Sequence, residues 1–180
     1  MAGEWTSSQS ASYVKPREPG RGDAWAEEAG RAGKTGTHRL AEVTECVPPE
    51  LVAAALRLEP GDLAVVRRRV VELDGLPIEL ADSYYPLRIA QGTALAEHRK
   101  IPGGAPTLLS DLGHTAAEVQ EDVSCREATD VERATLNLGA DEWVLLLARL
   151  TIDQAGLPME AMLMTMKAQG RHLHYRMRTT

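Results

Sequence analysis

The sequence predicts an α+β fold built from two copies of one strand–helix–hairpin unit. The first observation is a repeat: residues 43–85 recur as residues 123–166, about 80 positions later. Leu56 and Leu58 answer Leu136 and Leu138, Val65-Val66 answers Leu145-Leu146, and Arg69 answers Arg149. After one extra residue, Gly75-Leu76-Pro77-Ile78-Glu79 answers Gly156-Leu157-Pro158-Met159-Glu160. The second observation is periodicity, which in each copy passes from helical spacing to two β-rich runs around a glycine turn. Two copies of one unit pack most easily about a pseudo-two-fold, which brings two related polar positions to one crevice.

Each unit opens on a short strand, Val43-Thr44 or Val123-Ser124. A helix follows, entered at Pro48-Pro49-Glu50 in the first copy and at Thr129-Asp130 in the second, with Thr129 placed as an N-cap. Leu51, Ala54, Ala55 and Leu58 fall at i, i+3, i+4 and i+7, the spacing of one apolar helix face. Pro60-Gly61-Asp62 and Gly139-Ala140-Asp141 are the expected stops. The hairpins then turn at Asp74-Gly75 and over residues 153–156. The joining segment 86–120 holds a short helix within 90–98, a loop at Ile101-Pro102-Gly103-Gly104-Ala105-Pro106, and a short helix over 107–113 opened by Thr107. Residues 1–38 are rich in Gly, Ser, Ala, Glu and Arg with almost no apolar periodicity, so they are expected to be a disordered tail ahead of a folded domain at 39–180.

Composition narrows the function. With 4% aromatic residues and no Phe, the core is built from Leu, Val, Ala and Met. A net charge of −6 gives the chain as a whole no electrostatic footprint for nucleic acid or an anionic membrane. No apolar run approaches a bilayer span, and residues 1–20 lack the apolar stretch of a secretory signal. Cys46 and Cys125 fit a reducing cytoplasm and read as buried free thiols. Gly33-Lys34-Thr35 is not a phosphate loop, because Glu28 stands where that loop needs glycine. No cofactor motif is present.

Differences between the copies mark candidate binding residues. Copy one carries Arg67-Arg68-Arg69 where copy two has Leu147-Ala148-Arg149, and Ser83-Tyr84-Tyr85-Pro86 where copy two has Met164-Thr165-Met166. Arg67 and Arg69 share a strand face, so they form either a clamp for carboxylate or phosphate or a pair of solvated edge arginines. Glu79 and Glu160 are equivalent; they either hold hydroxyls or an amine, serve as acid and base, or stand exposed on their strands. His172 and His174 have the spacing of some metal sites, but no third ligand accompanies them.

The string from Leu73 to Pro86, Leu-Asp-Gly-Leu-Pro-Ile-Glu-Leu-Ala-Asp-Ser-Tyr-Tyr-Pro, preceded by Arg67-x-Arg69, resembles the UTRA domain. That domain is the effector-binding half of HutC-type regulators in the GntR superfamily. The likeness continues through Thr107-Leu108-Leu109, Val123-Ser124, Ala134-x-Leu136-x-Leu138 and Gly156-Leu157-Pro158-Met159-Glu160, over about 40–178. Ser83-Tyr84-Tyr85-Pro86 and the ending Arg171-His172-Leu173-His174-Tyr175-Arg176 are most similar to regulators of actinobacterial plasmid transfer. The resemblance implies a chorismate-lyase-like α+β fold, a central antiparallel sheet with flanking helices, dimers, and a ligand crevice. By motif position it puts the family's paired arginines on Arg67 and Arg69, its hairpin glutamate on Glu79, its hydroxyl residue on Thr107 and its late glutamate on Glu160. With Ser83 and Tyr85 these form the expected ligand-binding set.

Three departures refine the expectation. Sugar-phosphate-binding members often carry Tyr where this chain has Leu109 and Met166, so a more apolar acid suits it better. Residues 1–38 hold too little apolar periodicity for the family's N-terminal winged helix-turn-helix. The chain is therefore expected to sense an acidic effector in the cytoplasm without contacting DNA or membrane itself, as a homodimer or paired with full-length regulators. A chorismate-lyase-like enzyme and a pure dimerisation module are the alternatives; no evident nucleophile or poised acid–base pair supports the first. No metal and no cofactor are expected.

Overall fold

The computed structural model describes residues 6–8, 13–18 and 23–175. Its centre is a six-stranded antiparallel sheet in the order β2 (Gly36–Cys46), β3 (Ala64–Leu73), β4 (Leu76–Pro86), β7 (Pro158–Lys167), β6 (Trp143–Asp153) and β5 (Ala116–Glu127). The two hairpins meet at β4 and β7, where Asp82 lies opposite Leu163, its own repeat counterpart. Ala81 opposite Met164 and Ser83 opposite Met162 flank that pair symmetrically. The pseudo-two-fold inferred from the repeat therefore passes between β4 and β7. Helices α2 (Glu50–Ala55) and α5 (Asp130–Leu136) each cross it, α2 packing on β7 and α5 on β4.

Several elements depart from the sequence reading. The leading strands are 11 and 12 residues long rather than two, because β2 and β5 run the full length of their neighbours. The buried helix face is not the one spaced from Leu51, which is 67% exposed; Val52 and Leu56 face the sheet, as do Glu132 and Leu136 in copy two. Burying a leucine such as Leu56 or Leu136 contributes about 2 kcal/mol. Both helices stop before the expected breakers, at Arg57 (φ 54) and Asn137 (φ 53). In each, the next N–H reaches back to the last turn, Leu58 to Ala53 O and Leu138 to Arg133 O, both at 2.9 Å. That bonding satisfies orphan carbonyls and makes a left-handed non-glycine residue tolerable. Thr129 caps α5 as expected, within a reciprocal capping box with Glu132. Asp74 (φ 52) and Gly75 (φ 79) form the two-residue turn that the strand twist favours.

The joining segment holds α3 (Leu87–Ala90), a 3-10 turn (Ala94–Ala96) and α4 (Gly104–Asp111). Thr107 does not open α4; the helix starts at Gly104, after Gly103 in the left-handed region, and the Thr107 hydroxyl donates back to Gly103 O at 2.7 Å. The larger correction concerns the N-terminus. Helix α1 (Ala24–Arg31) lies within the stretch expected to be structureless, capped by Asp23, whose Oδ1 accepts from Ala26 N at 2.8 Å. Trp25 is 3% exposed and its indole N–H donates to Glu72 O at 2.9 Å. A Cβ at Gly36 would fall 2.6 Å from Trp25 Nε1, so glycine allows this close approach. Apolar periodicity was faint because only Trp25 and Ala29 of α1 are buried. The boundary expected at residue 38 falls inside β2. Residues 6–8 form β1 (Thr6–Ser8), paired in parallel with β8 (Arg171–Leu173).

A candidate effector crevice

Strand alternation sorts the sheet into two faces. Val66, Tyr84 and Ala161 pack with Val52 and Leu56 under α2. The opposite face carries the crevice, with Arg69 and Val71 of β3, Glu79, Ala81 and Tyr85 of β4, Glu160, Met162, Met164 and Met166 of β7, and Leu147 and Arg149 of β6. Trp25 of α1, Tyr13, Lys15 and Arg17 of the N-terminal segment and residues 103–106 close its sides. The empty space is about 1020 Å³, open solvent at the mouth included.

The two expected arginines part company here. Arg67 is 6% exposed, and its guanidinium donates to four backbone carbonyls: Ala94 at 3.2 Å and Leu95, Glu97 and Arg99 each at 2.8 Å. It ties down the 94–99 segment. Arg69 instead lines the crevice, its Nη2 donating to the buried Ser83 hydroxyl at 2.7 Å while its buried Nε has no hydrogen-bond partner. The Tyr85 hydroxyl donates to Glu160 Oε1 at 2.6 Å, both residues being buried. Burial, reinforced by the Glu160 carboxylate, pushes the Tyr85 phenol well above its ordinary pKa, so it stays a donor. Glu79 accepts from Arg171 Nη2 at 2.9 Å. Thr107 is not among the residues that line the crevice, and its oxygen accepts from Arg17 N at 3.0 Å.

Other residues of the crevice were not singled out from the sequence. Arg149, the repeat counterpart of Arg69, is 5% exposed and pairs with Glu121 at 2.7 Å; the repeat carried its signal. Arg171 was passed over in favour of His172 and His174, whose rings stand edge-on, 6.4 Å apart. Among the described residues, no group of three or more His, Cys, Asp or Glu is placed to hold a metal ion. The N-terminal wall was hidden by its polar composition. Tyr13 donates to Glu28 Oε2 at 2.5 Å, and Arg17 pairs with Glu27 at 2.5 Å. Burial raises the Glu28 carboxyl, although Tyr13 and Arg171 oppose it. Burial pulls Asp23 the other way from its hydrogen bonds to His38 and Ala26 N, which win and hold it at about 2. Cys46 is half-buried and Cys125 exposed, so neither is the buried thiol expected.

Residues 31–169 match the UTRA domain. The chain belongs to the UTRA domain family. An uncharacterised HTH-type transcriptional regulator of Streptomyces coelicolor is 30% identical over 146 residues, covering 77% of this chain and 54% of the relative. The UTRA chain thus spans about half the length of that curated relative. The effector domain of PhnF from Mycobacterium smegmatis superposes with a TM-score of 0.74 at 18% identity, covering 92% of this chain and 99% of that one. The ligand-binding domain of a GntR-family regulator from Bordetella bronchiseptica does so with 0.67 at 20% identity, covering 93% and 96%. These neighbours show the chorismate-lyase-like fold. The family match covers most of the chain, and the relative the chain aligns with is described as a transcriptional regulator. Among the described residues no helix is long and apolar enough to cross a membrane.

Proposed function

We propose that this UTRA domain binds an acidic small molecule in the crevice, with Arg69 holding the acid, and passes its occupancy to the DNA-reading part of a GntR-type regulator. The observation that carries the reading is the Arg69 guanidinium, which lines the crevice, has a neutral hydroxyl as partner and keeps a buried N–H unbonded. A carboxylate or phosphate there would satisfy that donor with a charge-assisted bond. Ser83 orients the guanidinium from behind. Glu160, steadied by Tyr85, and Glu79, paired with Arg171, offer acceptors for hydroxyl or amine hydrogens. Arg67 is left out of the binding set, since its donors serve the 94–99 segment. The net charge of −6 leaves few spare cations for phosphates, so DNA reading falls to the regulator in which this domain works, as a homodimer or paired with a full-length relative.

Calorimetric titration with small carboxylates and phosphate monoesters tests this. A charge-assisted contact is worth about 1.5–3 kcal/mol, so Arg69→Leu weakens the bound acid at least roughly tenfold. Unchanged affinity in a variant that melts like the parent removes Arg69 from the site.

A further inference from the structure

The body of the ligand is written in the floor of the crevice. Met162, Met164 and Met166 occupy successive same-face positions of β7, and all three line the crevice. In register, Met162 lies opposite Ser83, Met164 opposite Ala81 and Met166 opposite Glu79. On the other side of β7, Met164 faces Leu147. The polar groups therefore gather at two ends. On the sheet, Arg69, Ser83, Glu160, Tyr85 and Arg149, which lies opposite Met162, stand at one, and the Glu79–Arg171 pair at the other. Between them runs a belt of thioethers and methyls, with a span from Met162 to Met166 of about 13 Å at strand rise. Trp25 adds only its ring, because its N–H is committed to Glu72 O.

We infer that the acid is an aromatic carboxylic acid whose ring system lies on the methionine stripe while its carboxylate meets Arg69. The inference rests on the acid site proposed above. A sugar ring centred on the same belt would set hydroxyls against thioethers and methyls, beyond the acceptors at the two ends, and polar groups removed from water do not tolerate that. Thioether sulfurs make favourable contacts with aromatic rings, and three unbranched methionines adapt to a flat ligand. A rigid ring also loses less freedom on binding than an alkyl chain of equal area.

The test is calorimetry on the whole chain with three probes: 2-naphthoate, decanoate and glucose 6-phosphate. The expected order is 2-naphthoate at least tenfold tighter than glucose 6-phosphate and at least threefold tighter than decanoate. Arg69→Leu weakens 2-naphthoate at least tenfold. Met164→Ser weakens it at least fivefold, and the half-buried Met162→Thr does so in parallel should Met164→Ser fail to fold. Met164→Leu, which keeps the belt apolar, stays within threefold of the parent. Glucose 6-phosphate binding as tightly as 2-naphthoate, and lost in Arg69→Leu, overturns the aromatic assignment while the acid site stands. Decanoate binding tighter than 2-naphthoate does the same. Naphthoate affinity indifferent to Arg69→Leu overturns the acid site and the aromatic assignment together. Absence of binding by all three overturns the aromatic assignment, and Arg69-dependent binding of any other acid then preserves the site.

Discussion

Arg67 and Arg69 are the same residue type two positions apart on one strand face, yet their surroundings give them different work. Arg67 meets the carbonyl ends of a 3-10 turn and of the bends after it, and its planar fork satisfies four acceptors at once. Burial pulls its pKa down from the ordinary arginine value, but the guanidinium remains charged. Arg67→Leu would leave those carbonyls unpaired in the interior. The expected cost is about 3 kcal/mol in urea unfolding at neutral pH. Arg67→Lys should recover only part of it, because one ammonium cannot span the same fork. Acid binding by the folded fraction should stay within about threefold, a shift well under one charged hydrogen bond. A stability loss below about 0.5 kcal/mol, the scale of a surface substitution, would show that the clamp matters little.

At the scale of elements, α2 and α5 show how one unit tolerates different chemistry at one position. Val52 fills the buried inner position of α2, and Glu132 fills its counterpart in α5. Glu132 is accommodated because it accepts from both Arg126 terminal nitrogens at 2.7 Å and from Thr129 N at 2.8 Å. The Arg126 hydrogen bonds first, then the capping bonds, hold its carboxyl at about 2, below the ordinary 4.5, against the opposing pull of burial. A folded pKa below the unfolded one means stability that is complete above about 4.5 and disappears as pH falls through about 2. Glu132→Gln should therefore cost about 1 kcal/mol at pH 7, the usual worth of a cap. In urea titrations the gap between parent and variant should narrow steadily from about pH 4.5 downward. A gap that persists unchanged to pH 2.5 would show that the packing of Glu132, not its charge, is what counts.

At the scale of the molecule, the pseudo-two-fold sets both the sheet and its incompleteness. The repeats join through β4 and β7, so β2 and β5, of 11 and 12 residues, become the outer strands of the sheet. Such long edges are normally covered by another chain or blunted by charge. Closed two-fold pairs are the commonest soluble assembly. Light scattering at micromolar concentration should return about twice the 19.6 kDa chain mass. A clean monomer would contradict pairing through this domain and leave the charged side chains of β2 and β5 as the protection of its edges.

The sequence by itself determined the repeat, the hairpin turns and the pairing of equivalent positions. These follow from local periodicity and from residue types such as Asp74-Gly75 that permit few backbone conformations. It also carried the family, since the ordered string from Arg67 through Glu160 is a pattern of residues and not of contacts. The cap at Thr129 was legible for the same reason. The tertiary structure alone decided which arginine has its donors taken by the chain itself, because that depends on where the 94–99 segment, some 30 residues away in sequence, lays its carbonyls. It alone decided that residues 24–31 are a helix, because that helix is held by one indole set into the notch at Gly36 and by its hydrogen bond to β3. Two buried side chains are too few to leave a period in the sequence, yet enough, against a preformed sheet, to hold a helix in place.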